Sequence, residues 1–100
     1  MRQRKAREFE WDEGNIDKSH EKHGITPKEA EELFVSEDLY VQPDTQHSQD
    51  EERFIAVGII RGEKHLFVVF ALRGDKIRII SARKMHKQEV KKYEEVKKNS

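Results

Sequence analysis

The core of the fold is encoded in residues 53–84, RFIAVGIIRGEKHLFVVFALRGDKIRIISARK. Three runs rich in branched and aromatic residues are separated there by the short glycine-containing links RGEK and RGDK, a pattern that is typical of strands joined by hairpin turns. The middle run is apolar at nearly every position from Leu66 to Leu72, and a strand of this kind is central and covered on both faces. We therefore predict an antiparallel meander with the middle run at its centre.

Upstream of this meander, residues 26–34 carry the signals of a helix start. Thr26 can cap the helix, Pro27 fits its first turn, and Glu29 completes a Thr-x-x-Glu capping box. The apolar residues that follow recur at helical spacing, which predicts one buried face; they are Ala30, Leu33 and Phe34.

Four further elements are indicated outside these two segments. Phe9 and Trp11 have strand spacing and predict a short N-terminal strand, followed by a first helix over about 13–23. DLYVQ, residues 38–42, predicts another short strand, and HKQEVKKYEEVKK, residues 86–98, predicts a terminal helix. The whole is an α+β fold in which two helices precede an antiparallel meander of three to four strands and one helix follows it.

Composition bounds the chain to one small domain. Its 100 residues are 34% hydrophobic and 40% charged, which leaves room for a compact core but not for a large enclosed cavity. No window of about 18 apolar residues exists, and no cysteine is present for a disulfide or for thiolate chemistry. We expect a single cytoplasmic domain over residues 1–100.

The zero net charge hides a separation of charge along the chain. Nine Lys and Arg against three Glu give residues 76–98 a net charge of +6, and residues 1–8 carry +3. The middle, residues 9–75, carries −9. This split predicts two surfaces with different partners, and residues 1–7 are expected to form a flexible basic arm that adds affinity for phosphates.

A cluster of cations at the end of the last strand is the first candidate site. A phosphodiester needs cations at its oxygens, and the planar guanidinium of arginine suits that role. Strand alternation places Arg78 on the face of the strand opposite to that of Ile77 and Ile79. Arg83 lies where the strand ends and the helix begins. The alternative is that Arg78 and Arg83 pair with carboxylates on neighbouring strands.

Proton transfer has two candidate groups. His23, beside Lys22, can act as a general acid or base near neutral pH; the alternative is a histidine that stabilises the end of its helix. Glu52 precedes Arg53, so that a carboxylate and a guanidinium stand together; the alternative is a solvated pair. No third ligand accompanies His20 and His23, so we expect neither a metal nor a cofactor.

Three blocks together resemble the BrnT family of bacterial toxins: FEWD at 9–12, KHGIT with EAEELF at 22–26 and 29–34, and EERFIAVG with RIISARK at 51–58 and 78–84. The resemblance runs from Phe9 to about Glu95. It implies a fold related to the RelE ribonucleases and the toxin half of a type II toxin–antitoxin pair. It also implies a BrnA-like antitoxin that binds operator DNA, in a complex of two toxins and two antitoxins.

With this resemblance, the residues lead to a hypothesis of a metal-independent endoribonuclease that inhibits translation. The 2′-oxygen would attack the adjacent phosphate while arginines stabilise the developing charge. The catalytic candidates are His23, Glu52, Arg53, Arg78 and Arg83, with the choice of general base between Glu52 and His23 left open. The RNA-binding candidates are Lys22, Tyr40, Lys84 and Lys87. The alternative is a non-catalytic RNA-binding or protein-interaction module on the same fold.

Overall fold

The structure, a computed structural model, describes residues 8–11, 24–37, 39–45, 51–61 and 63–99. The predicted first helix at 13–23, the basic arm at 1–7 and residues 46–50 lie outside these ranges. The described elements, in chain order, are β1 (Glu8–Trp11), α1 (Pro27–Leu33), β2 (Tyr40–Pro43), β3 (Arg53–Ile60), β4 (Lys64–Arg73), β5 (Lys76–Lys84) and α2 (Lys87–Lys98).

A five-stranded sheet with the order β1-β5-β4-β3-β2 forms the centre of the molecule. The meander β3-β4-β5 is antiparallel, β4 is its central strand, and β2 pairs antiparallel with β3, as the sequence predicts. The prediction of an antiparallel sheet of three to four strands is wrong at one edge, because β1 adds to β5 in parallel. A parallel pair needs a crossover connection, and here residues 12–75 provide it, so local spacing gives no sign of the pairing.

The side of the sheet that α1 covers, called here the α1 side, holds the apolar core. Ile25, Ala30 and Leu33 are at most 1% exposed and belong to one cluster with the buried side chains of β3, β4 and β5. The predicted capping box is present: the Glu29 amide donates to Thr26 Oγ1 at 3.1 Å and the Thr26 amide to Glu29 Oε1 at 3.0 Å. The helix therefore begins where the sequence predicts and buries the predicted face.

Trp11 is part of this packing. Its ring is half-buried against the core cluster, and its indole Nε1–H donates to Glu31 Oε2 on α1 at 3.2 Å. Tryptophan in this position ties β1 to α1 while its polar nitrogen keeps a partner.

The opposite side of the sheet, called here the α2 side, is covered differently. Tyr93 is the buried residue of α2, and its ring makes edge contacts with Tyr40 at 5.6 Å and His65 at 5.9 Å between centroids. Phe67 and Val69 of β4 stay half-buried on this side. Ala71 on the same side of β4 is fully buried, so the α2 side of β4 is partly covered, less completely than its α1 side.

No helix among the described ranges combines the length and the apolar character needed to cross a bilayer.

Candidate nucleic-acid interface

Two arginines lie in one row across the α2 side of the sheet. Arg53 of β3 is in register with Ala71 of β4, and Ala71 is in register with Arg78 of β5. Two strand spacings separate the arginines, so their Cα atoms are roughly 10 Å apart. Ala71 is fully buried between them and both arginines are half-buried. We call Arg53, Ala71 and Arg78 the arginine row.

A β-bulge decides which side of the sheet receives Arg83. Val69 is in register with Ser81, but the next residue, Phe70, is in register with Ile79, so Ile80 is an extra residue in β5. Because Arg78 and Arg83 are five positions apart, a regular strand would place them on opposite faces. The extra residue reverses the alternation, and Arg83 therefore lies on the α2 side with the arginine row.

Arg83 binds a carboxylate of α2. Its guanidinium donates to both oxygens of Glu89, at 2.8 and 2.9 Å, and stacks on the Phe67 ring with Cζ 4.0 Å from the centroid. The Arg83 hydrogen bonds, with the His86 backbone N–H, lower the pKa of Glu89 to about 2. The ion-pair alternative is therefore the observed state of Arg83, with the carboxylate supplied by α2 rather than by a neighbouring strand.

Carboxylates and further cations surround the arginine row. Glu10 of β1 is in register with Arg78 and pairs with Lys76 at 3.4 Å between Oε2 and Nζ. Glu51 pairs with Arg73 at 3.5 Å. None of these four residues was predicted as a site residue from the sequence. The spacing of Glu51, two residues before Arg53, could have predicted that the two lie on the same face. The position of Glu10 beside Arg78 could not have been predicted in this way, because it depends on the parallel β1–β5 pairing.

The remaining predicted site residues do not all converge on this row. Glu52 is exposed and directly precedes β3, and alternation of successive residues sets its side chain apart from that of Arg53. Lys84 is in register with Leu66 and thus belongs to the α1 side, and Lys87 is exposed at the start of α2. His23 and Lys22 lie outside the described residues.

Tyr40 lies in the wall of a groove between α2 and strands β2, β3 and β4. The groove has a volume of about 400 Å³. Three aromatic rings, an amide and two charged groups take part in its lining, which consists of Tyr40, Val41, Gln42, Val57, Phe67, Glu89, Lys92, Tyr93 and Val96. This mixture of rings and hydrogen-bonding groups stands beside the arginine row on the same side of the sheet.

A histidine that the sequence analysis did not single out lies at the far end of this side. His65 Nε2 is 3.0 Å from Glu94 Oε2 of α2, and its ring contacts Tyr93. These contacts attach α2 to β4, and His65 lies six residues along β4 from Ala71 of the arginine row. Across the described ranges, no group of three or more His, Cys, Asp or Glu side chains is arranged to hold a metal ion.

Comparison with known proteins places this geometry in context. The sequence matches a family described as "Ribonuclease toxin, BrnT, of type II toxin-antitoxin system" over residues 11–89. The structure is similar to the 1.1 Å crystal structure of the Brucella abortus ribonuclease toxin BrnT, with a TM-score of 0.63 and 22% sequence identity. That similarity covers 82% of this chain and 100% of the Brucella chain. A search of curated proteins found no match.

Proposed function

This chain belongs to the BrnT family of ribonuclease toxins of type II toxin–antitoxin systems, and from this premise we propose that it is an endoribonuclease whose arginine row holds the scissile phosphate. The observation that carries the proposal is the register of Arg53 and Arg78 across the small Ala71. Two guanidinium groups on one sheet face can contact different oxygens of one phosphodiester.

The proposed reaction is attack of the ribose 2′-oxygen on the adjacent phosphate, without a metal ion. Arg53 and Arg78 stabilise the negative charge that develops on the phosphate oxygens, and such preorganised donors contribute most in a partly desolvated site. Glu52 and His23 remain the two candidates for the general base. Half-burial of both arginines is consistent with this role because it reduces screening by water.

The other predicted residues have secondary roles in this proposal. Arg83 contributes when a phosphate displaces the Glu89 carboxylate from the Arg83 guanidinium, or binds this guanidinium together with it. Tyr40 borders the bound RNA, and Lys87 at the start of α2 adds a phosphate contact at its periphery. Lys22 stays a candidate for phosphate contact, whereas Lys84 lies on the α1 side, away from the arginine row. The relation to the RelE ribonucleases and the cytoplasmic site of action stay predictions.

A BrnA-like antitoxin is the proposed partner, in a complex of two toxins and two antitoxins, and operator DNA is reached only through it. We propose that the antitoxin brings carboxylates to the edge formed by Arg78 and Arg83 and to residues 84–98. Glu89 supports this idea, since a carboxylate from α2 already occupies Arg83 with two hydrogen bonds. Covering the same cations would block RNA by competition.

The experiment that tests the proposal is growth arrest after expression of the toxin without an antitoxin. We expect wild type to arrest growth and Arg78→Ala to relieve the arrest, and Arg83→Ala to relieve it as well. Arg61→Ala is the matched control, because Arg61 is exposed and pairs with Glu32 of α1. At equal soluble expression, arrest by Arg78→Ala as strong as that by wild type would refute the phosphate role.

A non-catalytic RNA-binding or protein-interaction module is the second candidate. One observation favours it: Arg83 is neutralised by Glu89, and Glu52 is set apart from the arginine row, so the predicted groups do not form one cleft. The two candidates differ in the fate of RNA. A purified protein that binds single-stranded RNA through Arg78 and leaves it intact would favour the second.

A further inference from the structure

We propose that the groove between α2 and β2–β4 binds a nucleobase of single-stranded RNA, with Tyr40 as its stacking surface and Gln42 as its hydrogen-bonding group. This inference rests on the proposed function and extends it from the phosphate to the base. It assigns to the groove a part in selecting which RNA sequence is held, because the base is the part of a nucleotide that differs between sequences.

The position of the groove beside the arginine row supports this inference. Gln42 is in register with Ile55, and Tyr40 with Val57, so both lie on the α2 side with Arg53, which precedes Ile55 by two residues. One strand spacing and a two-residue rise put the Cα atoms of Gln42 and Arg53 roughly 8 Å apart. A phosphate on the arginine row therefore directs one of its neighbouring nucleosides toward the groove.

The chemistry of the lining is the second argument. Sites for single-stranded nucleic acid combine a cationic track for the backbone with aromatic rings on which bases stack. Here the arginine row is the track, and Tyr40 is a half-buried ring in the wall of the groove. Its edge contact with Tyr93 fixes the ring, so that stacking on its other surface costs little side-chain entropy.

Gln42 supplies the recognition group. Its side chain is exposed and lines the groove, and an amide offers two donors and an acceptor that can pair with the edge of a base. A volume of about 400 Å³ lies in the range of small-molecule pockets. Lys92 and Glu89 at the α2 wall add one donor and one acceptor group to the same space.

The alternative occupant is an apolar segment of a protein partner. Val96, which is 46% exposed, lines the same groove and would contact such a segment. The observations favour RNA, because Gln42 of the groove lies one strand from Arg53 on the same sheet face and because the lining includes Gln42 and Lys92, which an apolar segment would leave unpaired.

The test measures binding of RNA that cannot be cleaved. A labelled single-stranded oligonucleotide with 2′-O-methyl riboses is compared, by fluorescence anisotropy, with the same backbone lacking its bases. We expect wild type to bind the intact strand at least 10-fold more tightly than the abasic strand. We expect Gln42→Ala and Tyr40→Leu to reduce affinity for the intact strand by about 3- to 10-fold and 5- to 50-fold, with less than a 2-fold change for the abasic strand.

Gln88→Ala is the matched control, because Gln88 is exposed on α2 and does not line the groove; it should bind like wild type. Thermal melts show whether each variant folds, and Gln42→Ala, at an exposed position, keeps the test valid if Tyr40→Leu does not fold. Equal binding of intact and abasic strands by wild type would overturn the base site, as would equal losses for both strands in the two variants.

The same experiment separates this inference from the function on which it rests. Binding that needs Arg78 but ignores the bases would overturn the base site and leave the phosphate role standing. Absence of any RNA binding by wild type would refute both. Loss of antitoxin binding in Gln42→Ala with unchanged RNA binding would overturn the base site and assign the groove to the protein partner.

Discussion

The two helices of the described residues begin in the same way and pack differently. Each starts with a glutamate at the third helical position that accepts a hydrogen bond from the cap residue's amide, Glu29 in α1 and Glu89 in α2. Each glutamate also pairs with a cation of the sheet, Lys64 for Glu29 and Arg83 for Glu89. Yet α1 buries Glu29, Ala30 and Leu33, whereas α2 buries Tyr93.

The difference comes from the sheet side beneath each helix. The α1 side presents the apolar residues of β3, β4 and β5, and burial of that area stabilises the helix contact. The α2 side presents the arginine row and the groove, so α2 is attached by one ring and by ion pairs. Capping residues therefore fix where a helix begins, while the side chains on the sheet face beneath it decide how strongly the helix is attached.

Removing a buried side chain from the α1 side should have the largest effect on stability. Leu33 is fully buried, and Leu33→Ala is expected to lower the free energy of unfolding by about 2–5 kcal/mol through lost burial and a residual cavity. Val35→Ala is the control, because Val35 is 80% exposed, and should change it by less than about 0.5 kcal/mol. Urea denaturation measures both, and similar losses in the two variants would contradict the packing of α1.

Acid should act strongly on the same side. The hydrogen bond from Lys64, with that from the Thr26 backbone, lowers the pKa of Glu29 from 4.5 to about 2. A lowered folded-state pKa gives stability that is present above about pH 4.5 and is lost as pH falls toward 2. The contribution is on the order of 2–3 kcal/mol.

Glu29→Gln keeps an amide that can cap the helix but removes this titration. The variant should be less stable than wild type at pH 7, and the gap should shrink between pH 4.5 and 2. Urea denaturation across this range measures the effect. A constant gap at every pH would show that the Lys64 pair does not depend on the charge of Glu29.

Loosening α2 should give an intermediate, local effect. Tyr93 is 4% exposed and joins α2 to Tyr40 and His65. Tyr93→Ala is expected to speed amide hydrogen exchange across Lys87–Lys98, with a loss of about 2 kcal/mol that is limited to the attachment of this helix. Exchange in β3–β5 should stay close to that of wild type. Equal acceleration in the helix and the sheet would show that α2 is as integral to the core as α1.

The smallest effect is expected at the glutamate that begins α2. Glu89 is 31% exposed, against 8% for Glu29, so solvent screens its ion pair more strongly. Glu89→Gln should cost about 1 kcal/mol at pH 7, less than Glu29→Gln under the same conditions. Urea denaturation of the two variants side by side decides this, and a larger loss at Glu89 would reverse the comparison between the helices.

Much of the α1 side could be predicted from the sequence, because its signals are local. The box from Thr26 to Glu29, the spacing of Ala30 and Leu33, and the hairpin links around β4 act over a few residues each. The parallel pairing of β1 with β5 could not be predicted in this way, because Phe9 and Ile77 are far apart in the chain and are brought together by a crossover connection.

The candidate site could be predicted only in part for the same reason. Arg53 and Arg78 were identified by their chemistry, but their shared row depends on the register of β3, β4 and β5. The position of Arg83 depends on the extra residue Ile80, which the alternation of Ile77, Ile79 and Ser81 does not reveal. Its partner Glu89 comes from the next element, so the ion pair required both the bulge and the placement of α2.

We propose that the arginine row on the α2 side holds the phosphate that is cut. The most direct measurement is the cleavage rate of a short single-stranded RNA by purified wild type, Arg53→Ala, Arg78→Ala and Arg61→Ala, each checked by a thermal melt. We expect losses of about 100-fold or more for Arg53→Ala and Arg78→Ala, the scale seen when one charge-stabilising donor is removed, and less than about 3-fold for Arg61→Ala. Cleavage by folded Arg53→Ala and Arg78→Ala at the rate of wild type would contradict the account.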